Sequence, residues 1–417
     1  MNKPISLHRI VVPGLLGNIL EWYDFALYGY FAATITPLFF PNDNATLALL
    51  TTYAVFAVGF IMRPLGAVIF GYIGDNYGRK TALSSAILLM AIPTTFIGLL
   101  PDYHQIGLAA PLLLILCRLL QGLAVGGEFT GSIVYLLEHA PADKATYYGS
   151  LAMASAFFGL LLGSATAAVT DYFTVPWAWR VPFLFSLFLG VIGLYLRHHM
   201  PESPVFADLL ADKKARGVTF SHLFNHHLTT MIKAIGLVML PSTGFYLSFL
   251  YLATYLHHFY HIQLPHTLTI NTVTLAVIIL CCPLIGYSAD KIGRYRVLMI
   301  GALAFMLLST PLYYWLGRTT THAIVITQIL FAVMVTLSYA VIPAVLMALF
   351  PPALRYTGLS LTYNLANALF GGTSAFVATT LVHYTGVLIM PGVYLSLLAA
   401  VTLAVILWQW RADKSPA

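Results

Sequence analysis

Charge is scarce in this sequence. Of 417 residues only 20 are Lys or Arg and 14 are Asp or Glu, 8% in all, where a soluble domain carries about 25%. That shortage excludes an ordinary water-soluble fold. Cysteine is scarcer still. Cys117, Cys281 and Cys282 all lie in apolar runs, two of them adjacent and none in a C-x-x-C pair. They read as small packing residues, so neither a disulfide framework nor a cysteine metal site is expected. No phosphate-binding glycine loop and no Ser/His/Asp arrangement for nucleophilic catalysis occurs. The chain is therefore not read as an enzyme, and no cofactor or metal is expected.

Apolar surface is abundant instead. The chain is 59% hydrophobic, with a mean hydropathy of +0.85. Apolar windows of about 20 residues recur along its length, which predicts an all-α polytopic membrane protein embedded in a lipid bilayer. The opening "MNKPISLHRI" does not read as a cleavable signal peptide, because the apolar run after it is too long and has no small-residue cleavage site. Twelve spans are expected, at roughly 9–39, 46–73, 81–100, 105–137, 145–170, 178–197, 230–257, 268–288, 295–316, 322–349, 354–384 and 388–410.

Positive charge is distributed unevenly over the loops. With a cytoplasmic N-terminus, sixteen of the twenty Lys and Arg fall on the inner side. They include Arg79, Lys80, Lys144, Arg197, Lys213, Lys214, Arg216, Lys291, Arg294, Arg296 and Arg355; Arg180 and Arg318 fall outside, and Arg63 and Arg118 within spans. The asymmetry predicts a multi-pass protein of a bacterial-type inner membrane with both termini cytoplasmic. It also explains the basic balance without nucleic acid. The stretch 198–229, containing "ADKKARG", divides the spans six and six. The expected organisation is an N-terminal bundle at 1–197, a cytoplasmic linker at 198–229 and a C-terminal bundle at 230–417. The halves repeat: "GYIGDNYGRKTAL" at Gly71–Leu83 returns as "GYSADKIGRYRVL" at Gly286–Leu298. Two repeated six-helix bundles that rock about a central site are the implied architecture.

At this repeated G-x-x-x-D-x-x-G-R-[KR] loop the chain resembles the major facilitator superfamily. More narrowly it resembles the metabolite:proton symporter family, which includes proline/betaine, citrate, α-ketoglutarate and shikimate transporters. The pieces that carry the resemblance are "GNILEWYDFALYGY", "FIMRPLGAVIFGYIGDNYGRK", "CRLLQGLAVGGEFTGSIVYLLE", "WRVPF", "MPESPVF" and "LFPPALRYTGLSLTYNLANALFGG", in family order from the first span to the eleventh. Two departures stand out. The acid usual before the FP of "ALFPP" is Ala348, and the basic pair expected after the fourth span is reduced to Lys144. The C-terminal coiled coil of some osmosensing relatives is not expected, since the sequence stops seven residues after Trp410.

In the loop motif, Gly71 and Gly78 are expected to let the chain turn tightly. Asp75 can cap a neighbouring helix N-terminus, and Arg79 can reach Glu138. The resemblance implies that this cluster, with Asp290, Arg294 and Arg355, is a cytoplasmic gate; a solvated, merely topogenic basic loop is the competing reading. Within the first span Gly17, Glu21, Asp24 and Tyr28 follow helical spacing and share a face. On the fourth span Arg118, Gln121, Val125, Glu128 and Ser132 do likewise. Three intramembrane acids (Glu21, Asp24, Glu128) thus stand against two arginines (Arg63, Arg118), which favours pairing across helices and leaves one acid to take a proton. In related major facilitators an Asp on the first span and an Arg on the fourth couple the proton. The resemblance carries that role to Asp24 and Arg118, with Glu21 or Glu128 holding structure. A static ion-pair network is the alternative.

Candidate substrate contacts are Asn18, Tyr28, Arg63, Arg118, Gln121, Ser155, Tyr246, Tyr251, Tyr339, Asn364 and Asn367. Arg63 or Arg118 could grip a carboxylate, and Trp22, Tyr23 and Phe25 could cage a quaternary ammonium. His257, His258, His261 and His266 gather near the outer end of span seven and read as wetted loop residues rather than metal ligands. The resulting expectation is a monomeric symporter of protons and a small carboxylate-bearing solute, a zwitterion such as proline or betaine or an acid such as citrate. An exporter and a transport-dead sensor on the same fold are the rivals.

Overall fold

The computed structural model describes residues 8–41, 45–171, 173, 175–211, 220–262 and 264–414. Each apolar run closes its backbone hydrogen bonds within itself, as hydrocarbon requires. Among the described residues, twelve helices are long and apolar enough to cross a bilayer. They are α1 (Ile10–Tyr30), α2 (Val58–Asn76), α3 (Arg79–Leu99), α4 (Ala109–His139), α5 (Ala142–Thr170), α6 (Arg180–His198), α7 (Leu228–Tyr260), α8 (Thr269–Ile292), α9 (Arg294–Leu316), α10 (Thr321–Leu349), α11 (Pro352–Thr385) and α12 (Met390–Asp413). The fold is all-α, with two pseudo-symmetric six-helix bundles. The packing repeats with the sequence: α2 lies on α4 and α3 on α6, as α8 lies on α10 and α9 on α12.

By contact the chain forms two compact units. The first holds Met1–His139, Ser155–His222 and Pro351–Asn364; the second holds Ala140–Ala154, Leu223–Phe350 and Leu365–Ala417. The opening turns of α11 therefore pack with the first unit, and those of α5 with the second. Within the first unit, Tyr23 and Leu27 of α1 and Phe31 in the turn after it are buried in a cluster with Leu114, Trp179 and Phe183 from α4, the loop before α6 and α6.

The repeated loop has a backbone cause. Gly78 and Gly293 occupy equivalent positions immediately before α3 and α9, at φ +107 and +100. A residue with a Cβ is strained there, so the glycine just before the arginine lets two helices meet with almost no loop.

Several elements are more broken than uniform apolar runs suggest. The long first span is two helices, one ending at Tyr30 and a short one at Ala32–Phe39. The tenth is interrupted after Tyr339 and resumes at Ile342, with Pro343 in the new first turn, where a missing N–H costs nothing. Helices α7 and α11 each contain a π turn, Tyr246–Tyr251 and Asn367–Gly371. In the linker the chain forms short helices at Pro204–Ala211 and Phe220–His226. Lys213, Lys214 and Arg216 lie outside the described residues, as does the side chain of His266.

Candidate functional site

Asp75, at the end of α2, caps the first turn of α11. Its Oδ2 accepts from the Thr357 backbone N–H at 2.9 Å and the Thr357 hydroxyl at 2.7 Å, and its Oδ1 from the Tyr356 N–H at 3.3 Å. The negative charge sits where the helix exposes unpaired donors and a positive dipole end. Asp290, its repeat mate, does the same for α5: Oδ1 and Oδ2 accept from the Thr146 and Tyr147 N–H groups, both at 2.9 Å. Each aspartate takes the second and third residues of its target helix, Ala145–Asp171 in one unit and Arg355–Ala366 in the other.

The arginines of the two loops are not equivalent. Arg79 is fully buried, and all three of its side-chain nitrogens are used. Nε and Nη2 grip Glu138 bidentately at 3.1 Å each, Nη1 donates to Gly74 O at 2.6 Å and sits 3.2 Å from Asp75, and Nη2 also reaches Pro352 O at 3.2 Å. Glu138 further accepts from the Ser203 hydroxyl and lies 3.6 Å from Arg355. Arg294 is half-buried and donates a single 3.4 Å bond to Ala344 O. No ion pair reaches it among the described residues.

Two residues of this cluster were not singled out from sequence. Glu202 accepts from the Arg79 and Lys80 backbone N–H groups at 3.0 and 3.3 Å, capping α3, and Ser203 joins Glu138. Both belong to "MPESPVF", so the signal was present without an assigned role. Gly71 requires a correction. It lies inside helix Ala45–Asn76, not in a turn, and a Cβ there would collide with the backbone of Thr357. It permits close helix contact.

Deeper in the first unit, the sequence ledger of charges changes. Arg197, assigned by position to the inner loop, is fully buried at the end of α6 and pairs with Glu128. Its guanidinium occupies the space beside Gly17, where any side chain would intrude. The buried set is therefore three acids and three arginines: Glu21, Asp24 and Glu128 against Arg63, Arg118 and Arg197.

Pairing of Asp24 with Arg118 does not occur in this structure. Asp24 Oδ1 accepts from the Ser186 hydroxyl of α6 at 2.6 Å. Arg118 donates to Gln121 Oε1 at 2.7 Å and lies over the rings of Tyr28 and Phe25, 4.5 and 4.9 Å from their centroids. The shared face of α1 is real, but its residues meet different neighbours: Arg197 at Gly17, Ser186 at Asp24 and Arg118 at Tyr28. Arg63 donates from Nε to Asn364 Oδ1 at 2.9 Å, beneath Phe60 and Trp22.

The candidate substrate contacts divide between the units. Asn18 bonds Ser155 at 2.7 Å, and Gln121 bonds Thr94 at 2.7 Å. Trp22 and Phe25 join Phe60, Phe129 and Tyr363 in edge-on or tilted ring contacts 5.3–6.0 Å apart. Tyr23 is not among them and belongs to the separate cluster with Leu27. In the second unit Asn367 accepts from Ser242 at 2.8 Å, Tyr251 meets Thr379 at 3.1 Å, and Tyr246 and Tyr339 flank Phe245. Asn367, Tyr246 and Tyr251 all lie in the π turns, a distortion often found at functional positions. His257 bonds Ile262 O at 3.0 Å, and no group of three metal-capable side chains occurs among the described residues.

Comparison with known proteins adds the following. The sugar (and other) transporter family model matches residues 10–219 and 208–409. The glycine betaine/proline/ectoine/pipecolic acid transporter of Dickeya dadantii is 32% identical over 424 residues, 98% of this chain and 84% of that protein. The proline/betaine transporter of Escherichia coli K12 is 32% identical over 413 residues, 95% and 82% of the respective chains. Among solved structures, the proton:xylose symporter XylE superposes with a TM-score of 0.75 at 18% identity, covering 97% of this chain and 95% of that one. A human organic anion transporter gives 0.71 at 14%, covering 97% and 100%. At those identities the solved structures establish the fold.

Proposed function

The chain belongs to the sugar (and other) transporter family of the major facilitator superfamily, and from that membership we propose that it imports a small carboxylate-bearing solute with protons across a bacterial inner membrane. Zwitterions of the proline and betaine kind are the favoured solutes, because full-length relatives at 32% identity bear those names. The observation that carries the reading is the balanced set of buried charges in the first unit. Maintaining six ionisable side chains in hydrocarbon is costly and is otherwise rare; a titrating carboxylate among permanent guanidiniums is what proton coupling needs.

Asp24 is the coupling acid in this reading. It is buried, hydrogen-bonded by one neutral hydroxyl and held by no arginine, so a change in its surroundings can add or remove its proton. Arg118, stacked on Tyr28 and Phe25, offers a planar guanidinium beside aromatic faces, and Trp22, Phe25 and Phe60 suit a substituted ammonium. The Asp75, Arg79, Glu138 and Arg355 cluster is the cytoplasmic gate, and the bias of basic residues puts both termini on that side.

Uptake of labelled proline, glycine betaine and citrate into proteoliposomes, with and without an inward proton gradient, tests this reading. A gradient-dependent accumulation of at least one zwitterion is expected. Accumulation that ignores the gradient, or transport of citrate alone, would overturn the coupling or the solute assignment respectively.

A further inference from the structure

Glu21, Glu128, Arg63 and Arg197 converge from α1, α4, α2 and α6, with Glu21 in electrostatic range of the other three. Their bonding is lopsided. Arg197 holds one oxygen of Glu128, while the other Glu128 oxygen is buried without a partner and Glu21, equally buried, is bonded by no side chain among the described residues and has only the Phe129 backbone N–H near it. Arg63 lies in range of Glu21 but spends Nε on Asn364 Oδ1 at 2.9 Å, and its Nη1 is likewise buried and unbonded. Asn364 has no freedom to turn away, because its amide donates to Gly126 O at 2.8 Å and Ser360 O at 2.9 Å. It arrives on the stretch Pro351–Asn364, behind the turn that Asp75 caps.

We propose that Glu21, flanked by Glu128, forms a second proton-binding site distinct from Asp24, and that Asn364 operates it through Arg63. With Asn364 seated, Arg63 stays near Glu21 but makes no ion pair with it, and Glu21 keeps a proton because the two adjacent carboxylates have one directly paired guanidinium, that of Arg197, between them. When Asn364 withdraws, Arg63 turns to Glu21, the Glu21 O–H bond breaks and the proton passes to water. The principle is ordinary: a desolvated acid beside another acid binds a proton, and one bridged by an arginine releases it.

Among the described residues, Glu128, Arg63 and Arg197 are the charges that act on Glu21. Helix α3 carries Arg79 and Lys80 only in its first turn, and α5 has no Asp, Glu, Lys or Arg between Lys144 and Asp171. Arg355 is engaged by Glu138, and the Tyr356 hydroxyl donates to Gly127 O at 2.9 Å. Asp24, one turn along α1, faces Ser186. The site thus adds a gate-sensing proton to the Asp24 step, and rests on the proton-coupled reading above.

The test uses the carbonyl stretch of protonated carboxylic acids in infrared spectra of the purified full-length protein near neutral pH. All variants carry Asp24→Asn so that Asp24 contributes nothing. The band is expected in that background and expected to fall on adding Glu21→Gln. It should also fall with Asn364→Leu, a near-isosteric change that frees Arg63, and return when Arg63→Gln is combined with Asn364→Leu. Asn364→Ser, too short to reach Arg63, repeats the arm if the leucine variant does not fold. A band that survives Glu21→Gln, or is unchanged by both Asn364 variants, would overturn the proposal. The measurement needs neither solute nor gradient, so it fails or succeeds independently of the transport assays.

Discussion

Arg79 and Arg294 hold the same place in two copies of one motif, yet only Arg79 is saturated with acceptors. Removing Arg79 leaves Glu138 buried without its bidentate partner, a loss of about 3–5 kcal/mol for a buried pair. Removing Arg294 forfeits one long bond to Ala344 O, well under about 1 kcal/mol. Arg79→Ala should therefore lower the thermal midpoint in detergent clearly more than Arg294→Ala. It should also shift label distances across the cytoplasmic side toward an open gate by about 1–3 kcal/mol. Equal effects would mean that Arg294 has support beyond Ala344. From the sequence, the expectation of a weaker second loop rests on Ala348, where the resemblance implies an acid.

Arg197 was not legible in the same way. It follows an apolar run and precedes two histidines, and a long side chain at a helix end can reach outward to water or back into the bundle. Only Gly17, four residues before Glu21, hints at the space it fills. Gly17→Ala should displace the guanidinium from Glu128 and destabilise the protein by several kcal/mol, as read by thermal unfolding. A neutral result would show that Arg197 can re-form its pair around a methyl group.

At the scale of elements, the aspartate caps are the most local devices in the fold. Asp75→Ala should raise hydrogen–deuterium exchange at the Tyr356 and Thr357 amides, and Asp290→Ala at Thr146 and Tyr147, with a cost of about 0.5–2 kcal/mol for each lost cap. Asp75→Asn should do less, since an amide oxygen still accepts but carries no charge for the dipole. Exchange that spreads equally to both helices from either variant would contradict two independent caps. The sequence places Asp290 in the gate, and its cap on Thr146 and Tyr147 appears only in the structure. The twelve spans and the Asp75 cap could be read from apolar run length and the loop motif. The π turns could not: one extra residue in a helical turn leaves the apolar pattern intact, and Asn367 and Tyr246 look like ordinary helix residues until the backbone is seen. The break near Tyr339 was signalled only by Pro343.

At the scale of the molecule, the internal repeat and the family-ordered motifs made the fold legible before any coordinates. The network inside the first unit was not, because sequence order cannot say which of six charged side chains meet. Asp24 faces Ser186, Arg118 faces Gln121, and Glu128 takes an arginine that position alone had put elsewhere. The functional account rests on one of these groups exchanging a proton during solute movement. The most direct measurement is the pH of the outer medium when solute is added to unenergised proteoliposomes containing the wild type or Asp24→Asn. The wild type should alkalinise the medium as glycine betaine or proline enters, while Asp24→Asn should give no pH change yet still exchange internal for external solute. Solute entry by the wild type with no proton movement, or an undiminished pH change in Asp24→Asn, would contradict the account.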